Sequence, residues 1–150
     1  MEPRFTSQLV LPFERKGRLL IVEDSPDGRQ ALAVYFRSQG YDVLEASMGD
    51  EALERIQQDR GVDVVLLDLF IPGIGGLELL RKIQSAPQGP GVILLTGLAD
   101  REVAHGALSL GAFDYILKPV NFCELESSVA ACLAHREYLK QSWWKRLPLV

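Results

Sequence analysis

Residues 62–68, Val-Asp-Val-Val-Leu-Leu-Asp, form an almost unbroken apolar run that ends on a carboxylate. A strand with one wet face would alternate apolar and polar residues. One that is rich in Val and Leu throughout belongs in a sheet covered by helices on both faces, the arrangement of parallel α/β proteins. Similar runs at Leu19–Val22, Asp42–Ala46, Val62–Leu67, Val92–Leu95 and Asp114–Leu117 predict five strands. Between them, helical patterns are expected over Asp27–Gln39, Asp50–Asp59, Gly76–Ser85, Arg101–Leu110 and from Asn121 onward, each closing near a turn that contains Gly or Pro. Five βα units joined by right-handed crossovers give a doubly wound sheet, and reactive groups in such folds belong at the carboxyl ends of the strands.

The chain has 150 residues, 47% of them hydrophobic, enough for one compact domain with a substantial core. Its formal net charge of -4 gives no general attraction to nucleic acid or to an anionic membrane. No stretch reaches the roughly 18 apolar residues of a membrane span. Two cysteines, Cys123 and Cys132, fall on one predicted helix, where neither a disulfide framework nor a zinc site is expected. That usage suits a reducing cytoplasm.

Each strand that reaches the critical edge hands over to a polar residue. The first ends in Glu23-Asp24, the third in Asp68, the fourth in Thr96 and the fifth in Lys118-Pro119. In a parallel sheet these converge, giving three carboxylates, a hydroxyl and an ammonium in one cleft. Clustered carboxylates raise one another's pKa unless a cation lies among them, and all-oxygen ligation favours Mg²⁺ or Mn²⁺ over zinc. Mg²⁺ commonly adds a phosphate to a few carboxylates, so the constellation points to phosphoryl chemistry. Asp68 is the candidate nucleophile, Lys118 the fixed charge on a phosphoryl oxygen, and Thr96 a hydroxyl donor to another.

Taken together, Leu-Leu-Ile-Val-Glu23-Asp24, Leu-Leu-Asp68-Leu-Phe-Ile-Pro72-Gly-Ile-Gly-Gly76, Leu-Leu-Thr96-Gly97 and Gly111-Ala-Phe-Asp-Tyr115-Ile-Leu-Lys118-Pro119 resemble the receiver domain of two-component response regulators. The resemblance implies a flavodoxin-like (βα)5 sheet in strand order 2-1-3-4-5. It makes Asp68 the phosphoacceptor and assigns a Mg²⁺ site to Glu23, Asp24, Asp68 and the backbone carbonyl of Phe70. Thr96 and Lys118 then bind the phosphoryl group, Tyr115 is an aromatic switch paired with Thr96, and Pro119 follows a cis bond. A sensor histidine kinase or phosphotransfer protein is the implied donor. The implied product is a signalling switch rather than an enzyme, read out through the fourth helix, fifth strand and fifth helix, where a partner or a second copy could dock.

Two departures from the family pattern stand out. Phe70 and Leu98, two residues after Asp68 and Thr96 respectively, are apolar where many members carry polar groups. Neither can orient an attacking water, so slow hydrolysis of the acyl phosphate is expected. Gly75 also replaces a position that is often acidic or polar.

The remaining features carry blander readings. Gly73-Ile-Gly75-Gly76 lacks the spacing of a nucleotide-binding loop and reads as a turn before a helix. His105 and His135 have no partner at metal or catalytic spacing. Asn121 and Glu124 suggest a capping box for the last helix, on which Leu125, Val129, Cys132, Leu139 and Trp143 recur at core-like spacings. Its continuation to Trp143-Trp144 exceeds what the domain requires and suggests a dimer interface, a docking site or a linker. The expected organisation is an N-terminal extension over 1–17, the receiver over 18–139, and a helical extension or linker over 140–150. A phosphohydrolase of the haloacid-dehalogenase type would need an acid where Phe70 stands, and a phosphate-independent pseudo-receiver would not be expected to retain all five polar residues.

Overall fold

The computed structural model describes residues 15–142, 145, 147 and 148. Residues 1–14, most of the predicted N-terminal extension, and the Trp143-Trp144 pair lie outside the described residues.

Five parallel strands run in spatial order β2-β1-β3-β4-β5: β1 (Arg18–Val22), β2 (Asp42–Ala46), β3 (Val64–Asp68), β4 (Gly91–Thr96) and β5 (Asp114–Leu117). Among the described residues five α-helices connect and cover them: α1 (Pro26–Ser38), α2 (Gly49–Gln58), α3 (Gly76–Gln84), α4 (Arg101–Ala107) and α5 (Phe122–Gln141). This is the doubly wound, flavodoxin-like order expected from the sequence.

Strand side chains alternate between two cores. Leu19, Ile21, Val64, Leu66, Ile93 and Leu95 pack with Leu32, Ala33 and Phe36 of α1 and with Leu125, Val129 and Cys132 of α5. Leu20, Val22, Val65, Leu67, Val92 and Leu94 face Ala52 of α2, Leu79, Leu80 and Ile83 of α3, and Ala104 and Ala107 of α4. Both faces of the central strands are therefore dry, which is why their sequences do not alternate. Each such fully buried aliphatic side chain contributes roughly 1.5–3 kcal/mol.

The register fixes which residues leave the sheet together. Val22 pairs with Ala46 and Leu67, Asp68 with Leu95, and Thr96 with Leu117. Ser25 caps α1 by accepting from the Gly28 N–H, and Asn121 caps α5 by accepting from the Glu124 N–H, one half of the predicted capping box. The glycine-rich segment after β3 is a turn and helix start, as its spacing suggests. Gly73 sits at φ 79°, and a Cβ on Gly76 would meet the Leu69 carbonyl oxygen at 2.4 Å, so only glycine lets α3 begin this close to the strand end.

Two boundaries differ from expectation by more than one residue. β3 starts at Val64 rather than Val62, because Asp63 uses its N–H on the Arg18 carbonyl and its carboxylate on the Arg18 N–H. The fourth helical stretch is divided, with single 3₁₀ turns at Leu98–Asp100 and Leu108–Leu110 flanking α4. Gly111, at φ 108°, then ends it. In α5 the expected core positions Leu125, Val129 and Cys132 are buried, whereas Tyr138 and Leu139 are exposed. No described helix is long and apolar enough to cross a membrane.

Candidate functional site

β1, β3 and β5 deliver the charged groups, and β4 delivers the hydroxyl. Glu23 follows Val22 and is held as an extension of β1 by its N–H on the Ala46 carbonyl (3.1 Å). Its side chain is buried, Asp24 is exposed, and Asp68 at the end of β3 is buried. Carboxylate oxygens of Glu23, Asp24 and Asp68 lie within 4.8 Å of one another. The Lys118 backbone N–H donates to the Thr96 carbonyl at 2.7 Å, which fixes the start of the Lys118–Pro119 segment; the bond between these two residues is cis. From there the Lys118 ammonium reaches Glu23 Oε1 at 3.1 Å and Asp68 Oδ2 at 3.0 Å.

The electrostatics follow from that geometry. Burial, then the hydrogen bond and charge of Asp68, push the Glu23 carboxyl above the usual range, against the lowering effect of Lys118 and the Ser25 N–H. For Lys118, burial acts to lower the pKa, but the hydrogen bonds and charges of Asp68 and Glu23 outweigh it and the net direction is upward. Three carboxylates thus face one ammonium. The donor set is all oxygen, and the ligand oxygens of an octahedral Mg²⁺ with bonds near 2.1 Å stand roughly 3.0–4.2 Å apart, inside the 4.8 Å limit within which these three carboxylates lie. A small hard dication fits these residues.

The other predicted site residues take distinct places. Thr96 is buried at the end of β4, its hydroxyl directed to the Gly97 carbonyl at 3.4 Å rather than to a carboxylate. The Phe70 N–H donates to Asp68 Oδ1 (3.3 Å), which leaves Oδ2 to Lys118, and the Phe70 side chain is 63% exposed. Leu98 is 67% exposed. Tyr115 lies on β5, half-buried, with its ring 6.1 Å from His105 in an edge-on arrangement. The two cysteines are free, Cys123 exposed and Cys132 buried.

One group near the site was not singled out from the sequence. Arg29, in the first turn of α1, donates from Nη1 to the Glu23 carbonyl oxygen at 2.8 Å and from Nε to Glu45 Oε1 at 3.3 Å. Its only signal in the sequence is a basic residue close to a helix N-terminus, where the helix dipole disfavours one.

Comparisons with known proteins agree with this architecture. The sequence profile of the response regulator receiver domain matches residues 19–130. The chain is 34% identical over 122 residues to the DNA-binding response regulator MtrA of Mycolicibacterium smegmatis, covering 81% of this chain and 53% of that protein. It is 36% identical over 125 residues to the regulatory protein AtoC of Escherichia coli K12, covering 83% of this chain and 27% of that one. Among the curated relatives it matches, the chain spans about half the length or less. A response regulator receiver domain protein from Clostridium thermocellum superimposes with a TM-score of 0.78 at 30% identity, covering 82% of this chain and 98% of the other.

Proposed function

Because this chain belongs to the response regulator receiver-domain family, we propose that it is a phosphoacceptor switch in which Asp68 takes a phosphoryl group from the phosphohistidine of a sensor kinase or phosphotransfer protein. The observation that carries the proposal is the shared ammonium: Lys118 bridges Glu23 and Asp68, with the Asp24 carboxylate alongside.

In this reading Glu23, Asp24, Asp68 and the Phe70 carbonyl hold Mg²⁺, with Asp24 the more accessible ligand. The ion, when bound, neutralises charge on the transferring group. An Asp68 oxygen attacks phosphorus, the P–N bond to the donor imidazole breaks, and the released imidazole takes up a proton. Lys118 exchanges a carboxylate partner for a phosphoryl oxygen. Thr96 turns its hydroxyl from the Gly97 carbonyl toward another phosphoryl oxygen, and Tyr115 moves inward into the space so opened. The altered α4-β5-α5 surface then controls a partner, a second copy or an effector domain. Phe70 and Leu98, exposed near the attack path, offer water no hydrogen bond, so the acyl phosphate is long-lived.

The same reading assigns residues 18–139 to the receiver, 1–17 to an extension and 140–150 to a helical extension or linker, and locates the protein in the cytoplasm with its kinase. Intact-mass measurement after incubation with acetyl phosphate and Mg²⁺ tests the core of it. One phosphoryl adduct is expected in the wild type and none in Asp68→Asn. An adduct that survives that substitution, or none in the wild type, refutes the assignment.

A further inference from the structure

We infer that Arg29 is a positioning residue for the metal site: it locks the Glu23–Asp24 peptide so that the acidic pair is presented to Mg²⁺ in a fixed geometry. The inference rests on the metal reading proposed above and concerns how that site is held.

The Glu23 main chain is tied on both sides. Its N–H is committed to the Ala46 carbonyl of β2 and its C=O to Arg29 Nη1 of α1. The side chain is tied as well, Oε2 accepting from the Ser25 N–H at 3.3 Å and Oε1 from Lys118. The peptide that joins the two acidic residues is therefore clamped by a guanidinium, and Asp24, exposed and without a comparable anchor among the described residues, inherits its direction from that peptide. Arg29 is itself anchored. Its Nε bonds Glu45 on β2, whose other oxygen accepts from Arg37 Nη2 at 3.3 Å, so the fork spans α1, β1 and β2. A planar fork with several donors can hold a carbonyl and a carboxylate at once, which a lysine ammonium does less well.

The helix dipole does not account for this residue. A cation in the first turn opposes the α1 dipole, and Asp27 already supplies the favourable charge there. A cation near a dication site should also repel the metal. Arg29 therefore affects metal affinity with two opposite signs, repulsion through space and organisation through the Glu23 carbonyl, and the sign of the net effect identifies its role. Partners of this kind behind the metal ligands typically matter by 10–100-fold in affinity.

The test is Mn²⁺ titration followed by electron paramagnetic resonance, with circular dichroism melts in parallel. Wild type and Asp24→Asn come first: binding lost in Asp24→Asn upholds the metal site, and the absence of any such binding defeats the underlying reading rather than this one. Arg29→Met is then expected to bind Mn²⁺ about tenfold more weakly while remaining folded at the assay temperature. Arg29→Lys, which keeps the charge but not the fork, should fall between the two. Unchanged or tighter binding in Arg29→Met overturns the inference. Should Arg29→Met fold poorly, Arg29→Lys decides, and wild-type affinity in that variant overturns it equally.

Discussion

Lys118 and Asp68, 50 residues apart in sequence, meet through a 3.0 Å contact between the lysine ammonium and Oδ2 of the aspartate. The same ammonium serves Glu23, so a single positive group neutralises two buried carboxylates. Lys118→Met removes it and keeps the apolar stem. Breaking a fully buried pair costs about 3–5 kcal/mol, but the Lys118 side chain is 36% exposed, and about 1–2 kcal/mol is the expected loss in the presence of EDTA. Mg²⁺ should restore most of it by replacing the missing charge. Urea unfolding with and without Mg²⁺ measures both; equal stability of variant and wild type in EDTA would show that the bridge contributes nothing.

Phosphoryl lifetime should respond to Phe70 and Leu98, the apolar residues two positions after Asp68 and Thr96. Replacing Phe70 with Gln, or Leu98 with Asn, supplies a group able to orient water beside the acyl phosphate. Loss of the adduct is expected to speed up on the order of tenfold for either variant, a small part of the range available to proton-transfer assistance. Mass spectrometry over time after removal of acetyl phosphate follows it. A wild-type adduct that decays rapidly and is indifferent to both substitutions contradicts the expectation.

Tyr35 provides an alkaline marker for the contact between α1 and α5. Its phenol donates to Glu126 Oε1 at 2.7 Å, and that hydrogen bond, then burial and the Glu126 charge, push it up to about 12 from an ordinary value of 10.0. A pKa raised in the folded state means stability that is complete below pH 10.0 and lost as pH rises through about 12. The difference in urea midpoint between wild type and Tyr35→Phe should therefore be constant up to pH 10.0, shrink between 10.0 and about 12, and level off above that. A gap that grows with alkalinity would assign the hydrogen bond the wrong role.

Gly91, the first residue of β4, has no room for a side chain. A Cβ there would lie 2.4 Å from Cys132 Sγ of α5. Gly91→Ala should cost about 1–3 kcal/mol through overpacking, and Cys132→Ala should suppress much of that cost in the double variant. The four-way set of denaturation midpoints gives the coupling directly. Simple additivity would mean the strand moves away from α5 instead.

Much of this arrangement is legible in the sequence because it is carried by local pattern. The dry strands announce themselves through Val62–Leu67, and the topology then sends Glu23, Asp24, Asp68, Thr96 and Lys118 to one edge. What escapes is set by competition among contacts. Asp63 looks like part of a strand, but its carboxylate and N–H both engage Arg18, which delays the start of β3. The stretch Arg101–Leu110 has a helical pattern, yet Gly111 at positive φ tightens its last turn. Arg29 escaped because its role depends on a main-chain oxygen, and no side-chain pattern reports which carbonyl a residue will meet. The Thr96 hydroxyl, expected to meet a phosphoryl oxygen once one is attached, rests on the neighbouring Gly97 carbonyl.

The 95-residue separation between Glu23 and Lys118 has a consequence for the chain during synthesis. The carboxylates of β1 and β3 leave the ribosome well before the lysine that balances them. Until β5 docks against β4, the acidic edge of the nascent sheet lacks the ammonium that pairs with Glu23 and Asp68. Competence at this site therefore arrives late, because a fragment that stops short of Lys118 lacks both the counter-charge of the acidic site and α5, whose Leu125, Val129 and Cys132 cover one face of the sheet.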